Sequence, residues 1–316
     1  MRKQNKLIVV LSASALLAIG GSIPSLASEG WVNENGIWVY YNNDGERAAE
    51  EWKKSGDHWF WLDENGEMAT DRLIEDDDDY WYYADGDGNL YANTIKTING
   101  KKYAFNENGR MIDGLVFLEM DGSSDILSVI DPEDTYDTED AFNEFVTGIA
   151  AEEIREGTIR CYYFGDEDDG AIKTGSEDVE IDGETFDFKF KESSSTKGSG
   201  IVGEDDHKLY NAGKLIKASS DDKYKVAAYN EATGLTVTMD TEDFLSLAAE
   251  ETYNEEDEEI LWTFDNEDDT DDDGQILYYL VNTSGAMVKD KSSAKDGEDY
   301  EFQVEDYLIK SVTLED

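Results

Sequence analysis

Between Gly30 and Asp113 the chain repeats itself every 20 to 22 residues, and that period constrains its fold more than any other feature. Aligned on its glycines, the first copy reads Trp31, then Trp38-Val39-Tyr40-Tyr41 and Gly45. The second reads Trp52, Trp59-Phe60-Trp61 and Gly66-Glu67-Met68. The third has Leu73, Trp81-Tyr82-Tyr83 and Gly88-Asn89-Leu90, and the fourth Ile95, Tyr103-Ala104-Phe105 and Gly109-Arg110-Met111. A unit this short cannot bury a core alone, so each copy must stack on its neighbours.

The content of one unit sets its secondary structure. Aromatic residues at alternate positions, such as Trp59 and Trp61 or Trp81 and Tyr83, suit a strand rather than a helix. Asp63-Glu64-Asn65-Gly66 and Asn106-Glu107-Asn108-Gly109 end in Asn-Gly, a hairpin-turn signal because both residues tolerate positive φ. The pattern predicts an all-β fold, a solenoid of stacked β-hairpin repeats of about 21 residues each, with a short helical insert.

Gly30-Trp31 with Trp38-Val39-Tyr40-Tyr41 and Gly45, and Glu51-Trp52-Lys53-Lys54 through Met68-Ala69-Thr70, resemble the choline-binding, or cell-wall-binding, repeat of Gram-positive surface proteins. Related repeats occur in clostridial toxins and glucan-binding glucosyltransferases, and the clostridial type is the expected relation. The resemblance implies hairpins that hold choline on teichoic acid, or a wall or glucan polysaccharide, in aromatic notches. On that basis Trp31, Trp38 and Trp59 are expected to form one notch. Trp52, Trp59 and Trp81, with Met68, form a second, so that Trp59 serves both. The bland alternative is that the rings are only solenoid core, in a structural or adhesin-like scaffold. A third is a targeting module for a separate wall hydrolase.

Residues 1–27 read as a secretory signal peptide, with Arg2, Lys3 and Lys6 before an apolar run from Leu7 to Ile19 and small residues up to Ala27. That run is too short to span a bilayer comfortably, and no second one follows, so the mature chain is expected to have no transmembrane segment. The repeat domain is then 28–114, a linker with the helical insert 115–160, and a C-terminal degenerate β-repeat domain 161–316. In the linker, Thr138 caps an expected helix over Glu139 to Arg155, with Ala141, Phe142, Phe145, Ile149 and Ile154 near one face. In the last domain Val179 to Ile181 and Phe186 to Phe190 alternate about an Asp182-Gly183 turn, and Tyr278 to Met287 restates the repeat.

Charge narrows the partners. The formal net charge is −50, which disfavours nucleic acid, whose phosphates need Lys and Arg. It suits cationic ligands, divalent cations or a solvated extracellular surface. One cysteine, Cys161, allows no intramolecular disulfide, and two histidines, His58 and His207, sit in no catalytic motif. The expectation is a non-enzymatic, extracellular, wall-associated protein without a cofactor. The first metal candidate is Asp269, Asp271 and Asp273 before Gly274, the first half of an EF-hand calcium loop whose twelfth position is Leu280 rather than Glu; Asp85, Asp87 and Asn89 form a similar fragment that lacks the glycine at position 6.

Overall fold

The computed structural model describes residues 29–56, 58–122, 125–131, 135–165, 169–248, 250–254, 259–264, 275–297 and 299–314. The signal-peptide and calcium-loop expectations fall outside them. The fold is all-β, built from short antiparallel hairpins, and the described chain divides into two compact units.

Among the described residues, the first unit comprises those within 29–114, 120–129 and 164–172. It opens with four hairpins: Gly30–Glu34 with Ile37–Tyr41, Glu51–Ser55 with His58–Leu62, Arg72–Glu75 with Trp81–Ala84, and Thr94–Ile98 with Lys101–Phe105. In the first three, the residue heading a copy faces the third residue of the aromatic run, in Trp31↔Tyr40, Trp52↔Trp61 and Leu73↔Tyr83; in the fourth Ile95 faces Ala104, the second. The middle residue of those three runs points the other way and is buried, as Val39, Phe60 and Tyr82 are.

The hairpin turns are not where Asn65-Gly66 and Asn108-Gly109 predict them. They fall earlier, at Asn35-Gly36 and Asn99-Gly100, where both residues have positive φ, as a type I′ turn requires. Asp63–Gly66 is instead the connector that follows a hairpin. Asp63 Oδ1 accepts the N–H groups of Asn65 and Glu67, and Asp63 C=O accepts from Gly66 N–H. Asp85, Asn106 and Asn282 build the same loop. The shared signal is therefore Asp or Asn three residues before Gly, with only the glycine in the left-handed region.

These connectors tie the hairpins into a stack. Met68 N–H donates to Trp38 C=O at 2.8 Å, and Met111 N–H to Trp81 C=O at 2.7 Å. Just before each first strand, a residue of positive φ donates to the preceding loop's counterpart in its own repeat: Glu50 to Asp63, Asp71 to Asp85, Asn93 to Asn106 and Gly114 to Gly165. The last pair reveals a fifth copy. Its connector is Gly170-Ala171-Ile172, and Ile172 N–H donates to Lys102 C=O at 2.8 Å.

The strands of that fifth copy are Leu115–Met120 and Ile159–Tyr163, registered Leu115↔Tyr163. The aromatic repeat lapses after Leu115 because a segment carrying the helices is inserted into the turn of this hairpin. Thr138 caps the first helix, Glu139–Glu144, its hydroxyl accepting from Ala141 N–H. A π-helical turn over Phe145–Ile149 leads to a second helix, Ala151–Glu156. Phe142, Phe145, Val146 and Ile154 are buried against Phe117, Phe188 and Phe190. Ile149, expected on that face, is 69% exposed. The π-turn takes more residues per revolution than an α-helix and carries Ile149 round to the outside.

The rest of the second unit is two sheets. Gly175–Ile181 and Glu184–Phe190 pair across the expected Asp182-Gly183 turn, and the sheet continues through Lys214–Leu215, Lys208–Asn211 and Gly203–Asp205. Tyr224–Asn230 pairs with Ile276–Asn282 although 45 residues separate them. This is a second hairpin whose turn has been expanded, and it ends in the Asn282–Gly285 loop. Its eight-stranded sheet also holds Thr236–Met239, Glu250–Asn254, Glu259–Thr263, Lys291–Lys295, Tyr300–Glu305 and Leu308–Leu314.

Candidate functional site

The stack brings the aromatic rings together between hairpins. Faces alternate along a strand, and in this stack the side of one hairpin carrying its leading Trp lies on the next hairpin's buried aromatic. Trp31 therefore meets Tyr40 of its own hairpin at 5.4 Å between ring centroids and Phe60 of the next at 5.5 Å, both edge-on. One step along, Trp52 meets Trp61 at 5.1 Å and Tyr82 at 5.0 Å in the same arrangement. These are two equivalent notches, each of three rings drawn from two hairpins.

The expected residues are placed as follows. Trp31 and Trp52 each head one notch. Trp38, Trp59 and Trp81 are half-buried at the start of their strands' aromatic runs, and none of them makes a ring contact with Trp31, Trp52 or one another among the described residues. Trp59 instead has the Lys54 ammonium over its face at 5.8 Å. Met68 packs where a side chain on Gly88 would go: a Cβ there would lie 2.9 Å from its Cε and 3.2 Å from a ring carbon of Phe60. Tyr40, Phe60, Trp61 and Tyr82 went unnamed as notch residues. Their alternation was visible, but which face of one hairpin meets the next was not.

The two notches differ in polarity. Trp31 Nε1 donates to Lys54 C=O at 3.4 Å, whereas Trp52 Nε1 is buried without a partner among the described residues. The Tyr82 hydroxyl donates to Asp76 at 3.1 Å and accepts from Arg110 Nε at 3.4 Å. Burial pushes its phenol up to about 12, with Arg110 opposing the rise and Asp76 adding to it. Burial does the same for Tyr279 in the second unit, also to about 12. A phenol that stays neutral longer in the folded chain than in the unfolded one stabilises below about pH 10 and loses that contribution as pH rises through 12. Circular dichroism followed against pH should therefore show alkaline unfolding in that window, less steep in Tyr82→Phe. Identical profiles would mean that ionisation of Tyr82 is not part of the trigger.

Chemistry beyond binding finds little support in the described residues. Cys161 is fully buried, and burial pushes its thiol far up, so it supplies no thiolate. Asp85 and Asn89 are engaged in the connector loop, and among the described residues no group of three or more His, Cys, Asp or Glu side chains is placed to hold a metal. Asp269, Asp271 and Asp273 lie outside the described residues. No helix among the described residues is long and apolar enough to cross a membrane.

Residues 50–68 and 72–90 match the family model of the putative cell wall binding repeat. These are the second and third hairpins with their connectors, the two that enclose the Trp52 notch. No match was found among curated proteins. Similar solved structures include choline-binding protein F of Streptococcus pneumoniae, 20% identical over 60% of this chain and 48% of that one, with a TM-score of 0.37. A choline-binding domain from the same organism is 34% identical over 27% of this chain and 95% of that one, TM-score 0.23. A multimodular pneumococcal cell-wall endolysin from a phage, complexed with choline, is 21% identical over 30% and 28%, TM-score 0.24. The chain spans about half the length of the first of these.

Proposed function

The chain belongs, through residues 50–68 and 72–90, to the putative cell wall binding repeat family, and from that premise we propose a secreted, non-catalytic protein that attaches to the Gram-positive cell wall. Its ligand is the quaternary ammonium of choline on teichoic acid, held in the notch of Trp52, Trp61 and Tyr82. The observation carrying this reading is the meeting of those three rings at the junction of the two matched repeats. Such a cation needs no hydrogen bond, only electron-rich faces and a negative surround, and the chain supplies both. Trp59 shares the strand face of Trp61 and completes the candidate set with Met68 and Trp81. The basic head and short apolar run of residues 1–27 support export.

Purified cell walls, with and without their teichoic acid, test the reading in a pull-down. The parent should bind only intact walls, and millimolar choline should compete, since a few cation–π contacts give no more. Trp52→Leu keeps apolar volume but removes the π face, and should weaken binding about tenfold while remaining folded by circular dichroism. Wall binding unchanged in that variant would leave the rings as core alone. Loss of wall binding without any competition by choline would make the ligand a wall sugar.

A further inference from the structure

The two notches are equivalent in their rings but not in what stands over them. In the second hairpin the residue facing Phe60 is Lys53, and in the third the residue facing Tyr82 is Ile74. Lys53 lies on the face of its hairpin that meets Trp31 and Tyr40. Its ammonium sits over the Tyr40 ring at 4.9 Å from the centroid. It also donates to Asn42 Oδ1 at 2.9 Å and pairs with Glu51 at 3.2 Å, leaving its side chain 19% exposed. Ile74, buried beside Tyr82, brings no charge to the second notch.

The first connector is altered to suit. At Asp63, Asp85, Asn106 and Asn282 the loop-opening side chain caps N–H groups two and four residues on. Asn42 opens the same backbone turn, with Gly45 N–H donating to its C=O and its own N–H to Glu46 C=O. Yet its side-chain oxygen is given to Lys53, and Asp44 takes over the Glu46 N–H. One loop of five thus gives up its internal cap to hold an ammonium over a tyrosine.

We propose that Lys53 is a built-in occupant of the first notch: its ammonium takes the place over Tyr40 that a ligand cation would take, so the notch headed by Trp31 is closed to a ligand cation while the one headed by Trp52 carries no cation of its own. This rests on the reading of the notches as cation sites, and it assigns ligand selection within the stack to the single position Lys53/Ile74. An ammonium tethered in the chain is always at high effective concentration, so free choline at millimolar levels does not displace it.

Counting choline sites tests the proposal, by calorimetric titration of the whole protein with choline chloride against sodium chloride at equal ionic strength. Lys53→Ala removes the occupant and should add one saturable choline equivalent to whatever the parent binds. The added equivalent should vanish in the double variant Lys53→Ala with Tyr40→Leu. Asn42→Ala, which only loosens the ammonium, should give the same extra site at several-fold weaker affinity, and serves if Lys53→Ala does not fold. Where the parent binds choline and neither Lys53→Ala nor Asn42→Ala adds an equivalent, the built-in occupant is overturned and the Trp52 notch stands. If the parent binds none but Lys53→Ala binds one through Tyr40, the occupant is upheld and the Trp52 reading falls. Binding by none of the chains overturns both.

Discussion

Gly66→Ala will cost the protein far more stability than Gly45→Ala, although the two glycines hold the same place in successive connectors. Both have positive φ, 72° and 82°, so either alanine meets the left-handed strain of about 1 to 2 kcal/mol. The surroundings separate them. A Cβ on Gly45 would have nothing within 4 Å, whereas on Gly66 it would lie 2.6 Å from the Ala48 carbonyl oxygen and 2.6 Å from the Arg47 Cγ. Arg47 can move. The Ala48 carbonyl belongs to a residue whose own N–H donates to Tyr40 C=O at 2.9 Å, so relief requires parting the first connector from the second. A total of about 3 kcal/mol or more is expected for Gly66→Ala, among the larger values for one substitution. Urea unfolding followed by tryptophan emission reads it directly, since six of the seven tryptophans fall between positions 31 and 81. Equal costs at the two sites would mean that the loops need glycine for its φ alone and that the stack does not pack through them.

The second large effect is expected at Lys214, where removing a partner should hurt more than removing the lysine. Its side chain is 5% exposed, and its ammonium pairs with Glu139 at 2.5 Å, donates to Asn143 Oδ1 at 3.1 Å and lies over the Phe186 ring at 4.7 Å. Those contacts pin the inserted helix to the sheet. Burial holds the Lys214 amine below the usual lysine range, with the Glu139 hydrogen bond opposing. Glu139→Ala strands a buried cation and should cost about 2 to 3 kcal/mol, somewhat below the usual range for a broken buried pair because Glu139 is half exposed. Lys214→Met removes the charge and fills the space, and should stay within about 1 kcal/mol of the parent. Glu139→Ala made on the Lys214→Met background isolates what the glutamate contributes to its own helix terminus. A folded-state amine below its unfolded value disfavours the charged form in the fold, so stability returns as pH rises toward the ordinary lysine value. The deficit of Glu139→Ala should accordingly shrink between neutral pH and pH 10. A deficit that is flat with pH, or a larger loss in Lys214→Met than in Glu139→Ala, would overturn this account.

Much of the architecture follows from the amino-acid sequence alone. A period near 21 residues with alternating aromatics leaves hairpins that must stack, because no single copy can bury its own apolar face. Asp182-Gly183 marks a two-residue turn and Thr138 a helix start from local chemistry that needs no partner, and both occur as read. The tertiary structure decided what depends on how one copy meets the next. Alternation assigns each ring to one of two faces but does not say which face covers the neighbour, so Trp31 meets Phe60 rather than Trp59. Asn65-Gly66 has the residues of a hairpin turn, yet the ladder Glu51↔Leu62 closes before it and leaves it as a connector. Leu115 and Tyr163 pair across the helical insert, a partnership set by long-range pairing that no local pattern records. In the sequence Lys53 is only one residue of the Glu51-Trp52-Lys53-Lys54 stretch. Only the stacking of two hairpins put its ammonium over Tyr40, because a side chain's partner across a repeat junction is chosen by the offset of the backbones, and that offset is written in the connectors as a whole.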